Sequence, residues 1–71
     1  MYVIMDGEKI GGMRQERALS RQEFAQEAGV AVETLRSVER GERVRRATGW
    51  KVARVFGIHP KEIGRPAPRR S

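Results

Sequence analysis

A glycine at position 29 separates two short helical patterns, and this spacing constrains the fold more than any other feature of the sequence. The first pattern begins with a capping box, in which Glu23 follows Ser20 by three residues, and it ends at the glycine, which can adopt a positive φ. The second pattern runs from about Val32 to Arg40. Because only about three residues connect them, the two helices are predicted to cross sharply, which is the geometry of a helix-turn-helix.

Helical spacing predicts further helices on both sides of this pair. The first helix runs from Gly7 to about Ala18 behind the capping residue Asp6, and the fourth runs from Ala47 to Phe56. A short fifth helix is expected from Pro60 to Ile63 behind His59, since proline suits the first position of a helix.

Three other stretches are expected to lie outside the helices. The opening residues YVIM predict either a short edge strand or a loose hydrophobic arm, which would pack onto its own domain or contact a second copy. ERVRRATG is expected to form a basic loop, and GRPAPRRS contains too much proline and charge to pack. The predicted organisation is an arm or short strand at residues 1–6, a helix-turn-helix domain at 7–64 and a disordered basic tail at 65–71.

The charge distribution indicates a polyanionic partner. The 71 residues include 15 basic and 9 acidic side chains, which gives a net charge of +6. Residues 36–71 carry eleven of the basic and only three of the acidic residues. One side of the molecule is therefore expected to be strongly positive, and the twelve arginines favour bidentate contacts with phosphate or guanine.

The sequence offers no chemistry for a metal site or an enzyme. It has no cysteine, and its one histidine, His59, has no acidic partner at ligand spacing, so we expect this residue to cap a helix. It also has no glycine-rich phosphate loop, so we expect no cofactor and no catalysis. No apolar segment approaches the ~20 residues that span a bilayer, and we expect a cytoplasmic protein with no membrane partner.

The stretch LSRQEFAQEAGVAVETLRSVERGER resembles the helix-turn-helix family of lambda repressor and Cro, which is often called XRE-type. The matching positions are the first cap, an alanine in the second helix, the glycine of the turn and a Glu-x-Gly sequence after the third helix, here Ser20, Ala25, Gly29, Glu39 and Gly41. The resemblance extends from about Ile10 to Ile63. It implies an all-α fold, a compact bundle of five helices with the helix-turn-helix at helices 2 and 3, in a bacterial or phage-encoded protein.

The resemblance also implies three sets of functional residues. The third helix enters the major groove of double-stranded DNA, so its outward residues are expected to contact base edges: Val32, Glu33, Arg36 and Ser37. Phosphate contacts are expected from the start of helix 2 and from the segment after helix 3: Arg21, Gln22, Arg40, Arg43, Arg45 and Arg46. A structural ion pair is expected between Arg14 in helix 1 and Glu39 at the end of helix 3.

Two positions depart from the family pattern. Arg21 occupies the place after the first cap where glutamine is usual, and this change favours phosphate over base contacts. Ala31 occupies the cap of helix 3, where serine or threonine is usual. Because alanine cannot accept a hydrogen bond from a free amide, the start of helix 3 is expected to fray or to be capped by a DNA phosphate.

Three functions agree with these features. The first is a sequence-specific transcriptional repressor that binds a palindromic site as a homodimer. The second is an antitoxin-type or other protein-binding helix-turn-helix module, with a toxin or a polymerase as partner and DNA binding used for autoregulation. The third is nonspecific binding of nucleic acid through charge alone. The role of Trp50 stays open between the edge of the core, a cation–π contact with Arg54 and a self-interface.

Overall fold

The computed structural model describes residues 1–68, which form four α-helices, one short 3-10 helix and a three-stranded sheet. One face of the sheet packs against α3 and α4, whose contacts with β1 and β2 join the strands to the helical part. The elements in chain order are β1 (Tyr2–Met5), α1 (Gly7–Glu16), α2 (Arg21–Ala28), α3 (Val32–Glu39), β2 (Arg43–Arg45), α4 (Arg46–Phe56), the 3-10 helix (Pro60–Glu62) and β3 (Gly64–Pro66).

Local sequence sets the start and the end of α2 as predicted. The Ser20 hydroxyl accepts a hydrogen bond from the Glu23 N–H, and the Ser20 N–H donates to the Glu23 carboxylate. The Ser20 N–H lowers the pKa of Glu23 below its ordinary value, and the Ser20 hydroxyl makes a smaller contribution in the same direction. At the other end, Gly29 adopts the left-handed conformation with φ of 74° and turns the chain toward α3.

The other predicted caps are also confirmed. The Asp6 carboxylate accepts a hydrogen bond from the Lys9 N–H at the start of α1. His59 Nδ1 accepts a hydrogen bond from the Lys61 N–H at the start of the 3-10 helix. These side chains satisfy backbone donors that the first turn of a helix leaves unpaired.

The expected fold is confirmed in part: the domain is mostly helical with the helix-turn-helix at α2 and α3, but it is not all-α and the count of five helices is not confirmed. The described residues include a sheet, and the fifth helix predicted from Pro60 to Ile63 is a 3-10 helix of three residues. Proline does begin this element, but Ile63 already enters the core one turn later. That length is too short for a run of α-helical hydrogen bonds, each of which spans four residues.

The N-terminal stretch is a short strand, as one of the two alternatives predicted, but it is the central strand of the sheet and neither an edge strand nor a loose arm. β1 pairs antiparallel with both other strands, in the order β2-β1-β3. β2 lies within the predicted basic loop and β3 overlaps the predicted disordered tail, so both predictions are wrong for these residues. A central strand needs hydrogen-bond partners along both edges, and these two segments supply them. The tail prediction also covers residues 69–71, which lie outside the described residues.

The core lies between the helices and the inner face of the sheet. The rings of Phe24 and Phe56 meet edge to face, with their centroids 5.1 Å apart. Met5 and Val44 bring β1 and β2 into the same core. The largest fully buried side chains are Phe24, Ile10, Leu35, Ile63, Val38 and Val52.

Gly7 lies where α1 approaches the end of α3. A methyl group at this position would overlap the backbone carbonyl of Glu39. Gly12, in the same helix, has open space around it. The close packing of α1 against α3 therefore requires glycine at residue 7. At residue 12 nothing requires glycine, which there only destabilises the helix through its conformational freedom.

We expect Gly7→Ala to lower the free energy of unfolding by about 1–3 kcal/mol, because the backbone at Glu39 must shift. Gly12→Ala should raise it by about 0.5–1 kcal/mol, since alanine is the better helix former. Urea denaturation of both variants measures the two changes. Effects of the same sign and size would contradict the close approach at Gly7.

Candidate nucleic-acid interface

The four predicted base-contact residues lie on α3, beside its buried apolar side. Glu33 and Arg36 are exposed, whereas Val32 and Ser37 are half-buried and Val32 also packs against the core. Glu33 and Arg36 approach each other to 3.8 Å, and both are exposed to solvent. An exposed ion pair of this length contributes little free energy, so Arg36 can leave Glu33 for another acceptor.

The start of α3 has no side-chain cap. Ala31 precedes the helix in an extended conformation and offers no acceptor, as predicted. The N–H groups in the first turn of a helix attract anions because they have no intrahelical partner. Val32 and Glu33 lie at the same end of α3 as these N–H groups, whereas Arg36 and Ser37 lie in the second half of the helix.

Glu39 joins three helices through two arginines. Its Oε2 accepts a hydrogen bond from Arg14 Nε at 3.0 Å, and its Oε1 accepts one from Arg21 Nε at 3.1 Å. The side chains of Glu39 and Arg14 are only 8% and 12% exposed. Arg14 also donates to the carbonyl of Leu19 at 2.8 Å, just before α2 begins. The structure thus contains the expected pair and adds Arg21, which sequence reasoning assigned to phosphate alone.

The six predicted phosphate-contact residues are all exposed, but they lie on different parts of the molecule. Arg21 and Arg40 line an open depression between α2 and α3, together with Arg36 from the predicted base-contact set. Gln22 follows Arg21 at the start of α2. The other three predicted residues follow in β2 and α4. Arg43 and Arg45 lie in β2, whereas Arg46 is the first residue of α4 and lines a groove beside Trp50.

Two further residues accompany the arginines of β2, and sequence reasoning missed both. The Arg43 guanidinium lies over the ring of Tyr2, 5.1 Å from its centroid. Arg65 in β3 lies opposite Ile4, on the far side of β1 from Arg43. The run of four apolar residues in YVIM does not show which of them face outward, and the three-residue segment with proline gave no signal for Arg65.

The family described as Helix-turn-helix matches residues 12–63, a range that includes α2, the turn and α3 in full. This chain belongs to the XRE-type helix-turn-helix family. The resemblance to lambda repressor and Cro is thereby confirmed. The helix-turn-helix places Arg21 and Arg36 on neighbouring helices, so the family assignment and the depression described above concern the same surface.

A chain in a solved structure titled as a complex of the SinR protein and the SinI protein is similar to this helix-turn-helix protein. The two are 32% identical with a TM-score of 0.68, and the match covers 82% of this chain and 58% of that one. This chain therefore spans little more than half of the SinR-complex chain. No curated protein matches the sequence. The family and this likeness together support a DNA-binding transcription regulator.

The described part of this helix-turn-helix protein has no helix long and apolar enough to cross a membrane and no cluster of metal-binding side chains. Trp50 is 45% exposed and meets His59 edge to face, with ring centroids 4.9 Å apart. Among residues 1–68, no cation–π contact joins Trp50 to Arg54. Trp50 thus borders the surface beside the start of α4.

We expect Glu39→Ala to lower the free energy of unfolding by about 3 kcal/mol, because it leaves the largely buried Arg14 charge without a partner. Glu33→Ala is the matched control, since it removes an exposed carboxylate from the same helix and should change stability by less than about 0.5 kcal/mol. Thermal and urea denaturation check both values. Equal stability of the two variants would contradict a structural role for the Glu39 pairs.

Proposed function

We propose that this protein is a sequence-specific transcriptional repressor that places α3 in the major groove of double-stranded DNA. The observation that carries the proposal is the arrangement of α3. Its outer face exposes Glu33 in the first turn and Arg36 in the last turn, while Glu39 at its end is bound to α1 and α2. A helix held firmly at one end with a free polar face suits a groove ~12 Å wide.

The exposed side chains of α3 have the chemistry to read base edges. The Arg36 guanidinium can donate two hydrogen bonds to guanine, and the Glu33 carboxylate can accept one from the amino group of cytosine. Val32 offers a methyl surface for thymine, and the Ser37 hydroxyl can bond with several bases. Because the Glu33–Arg36 pair is exposed and 3.8 Å long, DNA can separate the two side chains at little cost.

The exposed cations around α3 supply the phosphate contacts. Phosphate contacts orient the protein on the duplex without distinguishing sequences. If four to six phosphates are neutralised per monomer, the logarithm of affinity should fall with that of salt concentration at a slope of about −4 to −5. The proposed cations are Arg21, Arg40, Arg43, Arg45 and Arg46, and the uncharged Gln22 adds a hydrogen bond without neutralising a phosphate.

We further propose that the protein binds as a homodimer to a palindromic site. Two copies related by a two-fold axis would place their α3 helices in successive major grooves, about one helical turn apart. Occupation of such a site within a promoter would block transcription. Selection of bound duplexes from a random pool tests this directly, because a dimer enriches paired half-sites and charge-driven binding enriches none.

We expect Arg36→Ala to weaken binding to the selected site by about 1–3 kcal/mol and to relax the preference at one base position. Arg45→Ala is the contrasting variant, and it should weaken binding to selected and unrelated duplexes by the same factor and make the salt dependence less steep. Titration of both variants against both duplexes at several salt concentrations makes the comparison. Identical behaviour of the two would contradict the assignment of base and phosphate contacts.

A groove beside Trp50 favours a second candidate function, the binding of a partner protein. The groove has a volume of about 190 Å³, and its apolar lining residues include Val3, Met5, Trp50 and Pro60. Arg46, Lys61 and Arg65 line it as well, and no acidic side chain of the described residues does. We propose that the groove receives an apolar side chain from an acidic segment of a partner. The likeness to a SinR chain from a complex with SinI agrees with this candidate.

Panning a random peptide library against the protein should enrich peptides in which an apolar residue is flanked by Asp or Glu. Lys61→Glu should weaken the enriched peptides by about fivefold or more, because it reverses a charge at the groove. Lys51→Glu is the matched control, since this exposed lysine of α4 does not line the groove. Enrichment of basic or neutral peptides, equal effects of the two variants, or self-association through Trp50 would contradict the candidate.

A further inference from the structure

The outer face of the sheet gathers three arginines from segments that are far apart in sequence. In the antiparallel register Arg45 lies opposite Tyr2, while Ile4 lies between Arg43 on one side and Arg65 on the other. Directly opposed residues project from the same face of a sheet. All three arginines are exposed, whereas the alternate residues of β1 and β2 face the core. We call the surface formed by Tyr2, Ile4, Arg43, Arg45 and Arg65 the outer sheet face.

Three exposed like charges on one face of a sheet create a positive potential that attracts anions. Arg43 and Arg65 lie two strand spacings apart, about 9–10 Å, which is comparable to the screening length of ~10 Å at moderate salt. Within residues 1–68 neither these two guanidinium groups nor that of Arg45 pairs with a carboxylate. The Arg43 group lies against the Tyr2 ring instead. Such a surface fits a polyanion.

The outer sheet face is continuous with the surface of α3. Arg40 follows α3 and Arg43 begins β2, so their Cα atoms can be at most about 11 Å apart. Arg40 lines the depression that it shares with Arg36, and it also lines a second depression that extends to Ile4 and Arg65. One ligand of sufficient length can therefore contact both surfaces.

Acidic residues lie at only one end of the outer sheet face. Asp6, Glu8 and Glu62 line the second depression, beyond the end of β1. The carboxylates of Asp6 and Glu62 accept backbone hydrogen bonds from Lys9 and His59. The positive potential should therefore be greatest toward the other end, near Tyr2 and Arg45.

We propose that the outer sheet face binds the sugar-phosphate backbone of the DNA that flanks the bases contacted by α3. This inference rests on the proposed function and adds Arg65 and Tyr2 to the interface. Each arginine of the face neutralises a phosphate, and the Tyr2 hydroxyl donates to a phosphate oxygen while its ring supports Arg43. One strand of a duplex carries a charge every ~3.4 Å along the axis, so several phosphates lie along the face.

The test compares Arg65→Ala with Arg54→Ala, which removes an exposed arginine of α4 that lines neither depression. Arg65→Ala should weaken binding to the selected site and to an unrelated duplex by the same factor, about tenfold at low salt, and reduce the magnitude of the salt slope by about 0.9. Its Tm should not fall, because the substitution removes a repelling charge. Arg54→Ala should leave the slope unchanged.

An unchanged salt slope in Arg65→Ala, or a loss of affinity for one sequence only, would overturn this inference. A fall in Tm would also overturn it, since Arg65 would then support the fold rather than bind DNA. If the proposed function fails, the result is different: Arg36→Ala then prefers the selected site over an unrelated duplex as strongly as the wild-type protein does. If the wild-type protein binds no duplex at all, both proposals are overturned.

Discussion

The carboxylate of Glu39 is the interaction on which the orientation of the helix-turn-helix depends. One side chain at the end of α3 accepts hydrogen bonds from Arg14 in α1 and Arg21 in α2. Because only 8% of this side chain is exposed, its two oxygens depend on the arginines rather than on water for their hydrogen bonds. Gly7 allows the backbone of α1 to approach that of α3 at the same point. The position of α3 relative to α1 and α2 is therefore set by charge and by close backbone packing against α1 as well as by the apolar core.

Arg21 links this internal network to the surface. Its Nε donates to Glu39, while about half of its side chain remains exposed in the depression that it shares with Arg36 and Arg40. A guanidinium group has five N–H donors, so it can bind an internal carboxylate and an external phosphate at once. Pairing with Glu39 also restricts the side chain before any ligand arrives, which lowers the entropic cost of binding. The same ion pairs that orient α3 thus restrict a cation on the surface that we propose binds DNA.

The central strand β1 organises the remaining cations. Its alternating residues place Val3 and Met5 toward the core and Tyr2 and Ile4 outward, which a run of four apolar residues did not reveal in the sequence. β2 and β3 were not predicted, because three residues are too few for an alternating pattern to be recognised. Proline and arginine in these segments favoured a loop and a disordered tail on local grounds. The hydrogen-bonding edges of β1 outweighed those local preferences.

The sequence by itself determined the helix ends and the turn. The capping box at Ser20, the left-handed Gly29 and the histidine cap at residue 59 follow from signals that act within about four residues, so no distant contact was needed to predict them. The tertiary structure alone decided that Arg21 shares Glu39 with Arg14, that two short segments become strands and that a groove opens beside Trp50. These features arise from groups that are distant in sequence. Their pairing depends on a folded chain that brings them together.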